Sequence, residues 1–131
     1  MTTFDAAEPA ERRRLFAAGI AAHRDRASEF CTFEPDTTPP GSDDALVPWI
    51  QVSDMTVSMD CTDAELDRLK TLVGEYPDFR IDELITPEEA DGTHARISSR
   101  SDAPRLAGFC DEVFQSVFGY DDAYRLWVAA I

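Results

Sequence analysis

The chain has 131 residues and carries 26 Asp and Glu against 12 Lys and Arg, a net charge of −14 at pH 7. Its 44% hydrophobic content excludes a disordered acidic tail and suits one domain, residues 1–131, that buries a real core. No apolar run reaches the length of a membrane span, and Met1-Thr2-Thr3-Phe4-Asp5 lacks the layout of a secretory signal, so the cytoplasm is the expected setting.

Lys70 is the only lysine. Arginine in place of lysine, with carboxylates spread over the whole chain, describes a surface that stays hydrated in concentrated salt. At molar ionic strength the Debye length is about 3 Å, so most of the self-repulsion is screened. Charge of this kind speaks of the solvent and names no activity.

In chain order, a first helix is expected over residues 5–30. Asp5 and Glu8 have capping-box spacing, and Pro9 suits a first turn. Phe16, Ile20, His23, Ala27 and Phe30 form its apolar stripe, and the Arg12-Arg13-Arg14 run reads as a solvated face beside Glu8 and Glu11. Residues 32–48 gather Pro35, Pro39, Pro40 and Gly41 and read as a long exposed connection. Residues 49–131 then form an α+β core.

That core opens with short strands over 49–52 and 55–60, joined at Ser53-Asp54. Thr62 and Glu65 form a capping box for a helix with Leu66, Leu69, Leu72 and Val73 on its buried face. A strand over 79–85, a helical turn at Thr86-Pro87-Glu88-Glu89 and a strand over 93–100 follow. Ser101 or Asp102 caps a last helix, Gly119 ends it, and residues 124–131 close the chain as a strand. From Met55 onward the order is strand, helix, strand, strand, helix, strand. This is the split βαβ arrangement of a ferredoxin-like antiparallel sheet, here with an added N-terminal helix and the Trp49 strand at an edge. The alternative is a five-stranded α+β sheet with the helices placed differently.

Cys31, Cys61 and Cys110 are odd in number and scattered, which fits buried free thiols in a reducing compartment. No metal spacing, phosphate loop or nucleophile elbow is present, so no cofactor, metal ligand or catalytic residue is assigned.

Three segments carry a resemblance: Pro48-Trp49-Ile50-Gln51, the run from Asp60 to Lys70, and Pro87-Glu88-Glu89-Ala90-Asp91-Gly92-Thr93. Together they resemble a small uncharacterised haloarchaeal protein family. The resemblance implies a salt-rich cell and says nothing of chemistry.

One surface stands out. Strand alternation places Thr56, Ser58 and Asp60 on the sheet face away from the helices, beside His94, Arg96, Ser98 and Arg100. Arg80 and Asp82 join from one edge, Arg125 and Trp127 from the other. The candidate binding residues are therefore Asp60, Arg80, His94, Arg96, Arg100, Arg125 and Trp127. Arginine forks with an indole suit a small anion. In the competing reading the first helix covers this face, and Arg96 and Arg100 merely neutralise Asp25, Glu29 or Asp60. Nucleic acid is disfavoured, because the central strands lack stacking aromatics and the net charge is strongly negative. The expected role is a non-catalytic binding or protein-interaction module, with a protein partner or a homodimer. The alternative is an enzyme or sensor for a small anionic ligand.

Overall fold

A computed structural model describes residues 5–25, 31–37, 47–86, 88 and 92–130. It is an α+β fold in which three helices lie on one face of a seven-stranded antiparallel sheet. The elements are β1 (Asp5–Ala6), α1 (Pro9–Asp25), β2 (Cys31–Pro35), β3 (Ile50–Ser53), β4 (Thr56–Cys61), α2 (Asp63–Gly74), β5 (Phe79–Ile85), β6 (Thr93–Ser99), α3 (Ala103–Glu112) and β7 (Leu126–Ala130). Across the sheet the order is β1-β7-β2-β3-β4-β6-β5.

This order corrects the ferredoxin-like expectation. The neighbours β4, β6 and β5 stand as that topology requires, but β7 does not pair with β4. The β2–β3 pair is inserted between them, so the strand at Trp49 is internal rather than an edge. Part of the expected loop over 32–48 is in fact β2, with Cys31, Phe33 and Pro35 inward and Thr32 and Glu34 outward. Residues 38–46 of that loop lie outside the described residues. So do residues 26–30, with Ala27, Glu29 and Phe30, and Pro87 and Glu89 of the expected helical turn.

Local chemistry starts and stops the elements. Thr62 accepts from the Glu65 amide while Glu65 accepts from the Thr62 amide, a complete capping box for α2. Asp102 caps α3, with Pro104 in the first turn. A π-helical turn, Val113–Val117, continues α3, and both Nε and Nη2 of Arg68 donate to the Val117 carbonyl at its end. Asp54 takes a positive φ of 55° in the β3–β4 turn, where its amide donates to Nε2 of buried His23.

The core lies between sheet and helices. Phe16 of α1 meets Phe33 of β2 at 4.7 Å between ring centroids and stacks on Phe114 at 6.1 Å. Gly19 permits this approach, since a Cβ there would sit 2.8 Å from the Phe33 ring. Helix α1 therefore packs on the same face as α3, and the reading in which it seals the opposite face is wrong. Among the described residues no helix is long and apolar enough to cross a membrane.

Candidate functional site

The sheet face opposite the helices is built in rows, because directly opposed residues of antiparallel strands share a face. Asp5, Trp127 and Glu34 are register partners on β1, β7 and β2. Asp60, His94 and Ile85 are partners on β4, β6 and β5. Trp49 stands one residue before β3, where the registers of β2–β3 and β3–β4 place it between Glu34 and Asp60. Its ring lies 6.4 Å from the His94 imidazole, which puts the indole on this face. One continuous row thus holds two tryptophans, three carboxylates and an imidazole. The next row is Thr32, Gln51, Ser58, Arg96 and Glu83.

The cations of this face are already engaged. His94 Nδ1–H donates to Asp60 Oδ1 at 2.8 Å, and Arg96 meets Glu83, not Asp60, at 3.4 Å. Arg80 Nε donates to Asp82 at 2.9 Å, and Arg125 pairs with Asp5. Arg100 leaves the strand end, where its amide donates to the Asp78 carbonyl, and its side chain has no ion pair among the described residues. The candidate arginines are therefore spread over the sheet and each of the three on its strands or flanks is neutralised by a carboxylate. Four cations do not converge on one point.

On the strands themselves, what is left without an ion pair among the described residues is anionic and aromatic. Glu34 has no ion pair among the described residues, and it stands between the strand positions of Trp127 and Trp49, about 10 Å apart at two strand spacings. Trp127 is 40% exposed. Both Glu34 and Trp49 escaped sequence reasoning, because β2 was hidden in a Pro-containing stretch. The signal was present in the alternation of Cys31-Thr32-Phe33-Glu34-Pro35.

Among the described residues neither Ser58 nor Ser98 hydrogen-bonds to His94, and no group of three or more His, Cys, Asp or Glu is placed to hold a metal ion. The thiols are buried: desolvation raises Cys31 and Cys61 to about 12 and Cys110 higher still, so all three stay protonated at neutral pH.

A second polar cluster lies inside the helical layer. Arg12 is 0% exposed, which corrects the solvated reading of the arginine run. Its Nε donates to Asp111 Oδ1 at 2.9 Å, and Nη1 donates to the carbonyls of Ala7, Asp122 and Tyr124. The guanidinium lies 4.2 Å from the Tyr124 ring centroid, and the Tyr124 hydroxyl donates to Asp111 at 2.7 Å. Burial and the Asp111 charge push the Tyr124 phenol well above its usual range. The sequence signal was simple: one step of four back from Phe16 along the apolar stripe lands on Arg12. These contacts tie α1, α3 and the segment before β7 together. Among the described residues the buried Nη2 of Arg12 has no hydrogen-bond partner.

Comparison with known proteins adds a family. A family model matches residues 1–131, the full length of the chain. The chain belongs to DUF7975, a family of unknown function. No curated protein matches it, and no solved structure does.

Proposed function

We propose that this DUF7975 chain is a non-catalytic interaction module that receives a Lys or Arg side chain of a partner protein on its helix-free sheet face. The observation that carries the reading is the Glu34 carboxylate, without an ion pair among the described residues, between two indole positions. A cation placed over an indole face gains about 0.5–2 kcal/mol, and a carboxylate beneath it adds a charge-assisted hydrogen bond. A small anion is the weaker reading, because Arg80, Arg96 and Arg125 already meet carboxylates.

Titrating tryptophan fluorescence with an arginine-rich peptide in molar KCl tests this. Glu34→Gln and Trp127→Ala are each expected to weaken binding about tenfold, the range of a desolvated cation contact. Asp67→Asn on exposed α2 removes the same charge from the helical side and is expected to change little. Equal losses in Glu34→Gln and Asp67→Asn would reduce the effect to bulk charge, and no loss in Trp127→Ala would remove the indole; either overturns the assignment.

The setting we propose is a salt-adapted, haloarchaeal cytoplasm, supported by the acidic composition and the near absence of lysine. Dialysis from molar KCl into dilute buffer is then expected to lower the melting temperature, as unscreened carboxylates repel. A constant or rising melting temperature contradicts it.

A further inference from the structure

Strand β5 is an edge of the sheet: it pairs with β6 on one side, and among the described residues nothing pairs with its other side. It is seven residues long, and Leu84 and Ile85 at its end are 41% and 45% exposed. An edge of this length with exposed apolar side chains is a template for another strand.

The bulge in β5 decides which strand fits. Opposed residues of an antiparallel pair share a face, so an unbroken strand meets its own copy only with a residue on the two-fold axis. Here the register shifts between Ile81 and Glu83, leaving Asp82 without a partner on β6. Phe79 and Ile81 before the bulge and Leu84 after it stand opposite Ser99, Ile97 and Ala95, on the helical face. Arg80 and Glu83 stand opposite Ser98 and Arg96, on the other face. The face pattern of Phe79, Arg80, Glu83 and Leu84 is thus a palindrome about the peptide between Ile81 and Asp82. A two-fold axis there sets the Arg80–Asp82 pair against the Arg96–Glu83 pair of a second copy, twice, so that Arg80 gains Glu83 as a further partner, and it sets Phe79 against Leu84, twice. At these four positions opposite charges oppose and apolar groups oppose, each pair on one face; at the axis itself Ile81 meets Asp82, the residue the bulge leaves out of the ladder.

We propose that β5 pairs antiparallel with β5 of a second copy of this chain, in the register Arg80 to Glu83, to join two seven-stranded sheets into one. The interface is isologous, as a two-fold requires. It is distinct from the Glu34 site, which lies across β3, β4 and β6 from this edge. Repulsion between two chains of charge −14 opposes the pairing in dilute buffer, and molar salt screens it.

Analytical ultracentrifugation in molar KCl tests the register, with circular dichroism to check folding. The wild type is expected to dimerise. Arg80→Glu or Glu83→Arg alone places like charges opposite each other twice and is expected to raise the dissociation constant about tenfold or more. The double swap Arg80→Glu with Glu83→Arg is expected to restore it, and Trp127→Ala to leave it unchanged. Should a single reversal not fold, Arg80→Gln, at an exposed position, is read in its place and is expected to weaken the dimer. A monomeric wild type, a dimer indifferent to the single changes, a double swap that fails to recover, or a dimer lost with Trp127→Ala would each overturn the proposal.

Discussion

Asp111→Ala is expected to destabilise the fold by about 3–5 kcal/mol, because it leaves the Arg12 charge buried without its counter-ion. Arg12 is fully buried, and Asp111 is the carboxylate at its Nε. The carbonyls of Ala7, Asp122 and Tyr124 still accept from Nη1 in the variant, but they carry no formal charge. The Tyr124 hydroxyl also loses its acceptor. A loss of this size is a large share of the roughly 5–15 kcal/mol by which domains are stable. Urea unfolding in molar KCl measures it. Replacing both partners, Arg12→Met with Asp111→Leu, is expected to be milder than Asp111→Ala, since no lone charge remains inside. If Asp111→Ala falls within about 1 kcal/mol of wild type, the smallest change such a buried contact allows, the pair does not hold the layer together.

Alkaline pH is the second strong lever. Cys31 and Cys61 are raised by burial from 9.0 to about 12, and Cys110 is raised further. Below pH 9 both folded and unfolded chains keep these protons, and stability does not depend on them. Above it the unfolded chain releases protons that the native chain retains, so stability falls as pH rises toward the folded values. Each thiol contributes a slope of about 1.4 kcal/mol per pH unit, and three together give about 4 kcal/mol per unit. Tyr120, raised by burial to about 12, and Tyr124 add to the fall above pH 10. Melting temperatures at pH 8 and pH 10.5 are expected to differ steeply in the wild type. The difference should shrink in a Cys31→Ala, Cys61→Ala, Cys110→Ala variant. An undiminished fall in that variant would move the cause away from the thiols.

Local signals were legible in the sequence wherever they were local in physics. Thr62 with Glu65, and Asp102 with Pro104, start their helices as their side chains require. The alternation at 56–60 and 93–98 puts Asp60 and His94 on one face, and the strand register sets them opposite each other. What failed depended on distant partners. Nothing in Cys31-Thr32-Phe33-Glu34-Pro35 says that it lies between β7 and β3, because strand order is set by pairings far apart in the chain. The side of the sheet taken by α1 was open for the same reason: its stripe shows that it is buried, not against what. The π-helical turn is visible only through the Phe118 amide bonding back to Val113. Arg12 was misread because three consecutive arginines suggest water, whereas helical geometry gives each a different direction.

The insertion of β2 and β3 beside β7 also sets an order of assembly. Strands β3 and β4, and β5 and β6, pair across short connections, and β4 meets β6 once α2 and β5 have been made. Strand β7 must instead return to β2, where Pro35 faces Leu126, and to β1, where Asp5 faces Trp127. As the chain leaves the ribosome, β2 therefore waits with one edge bare until some ninety residues later its second neighbour emerges. Contacts of such separation form late and slowly. In the nascent chain the dangerous edge is β2, which the finished fold buries, and any factor that escorts this protein during synthesis has to guard it there.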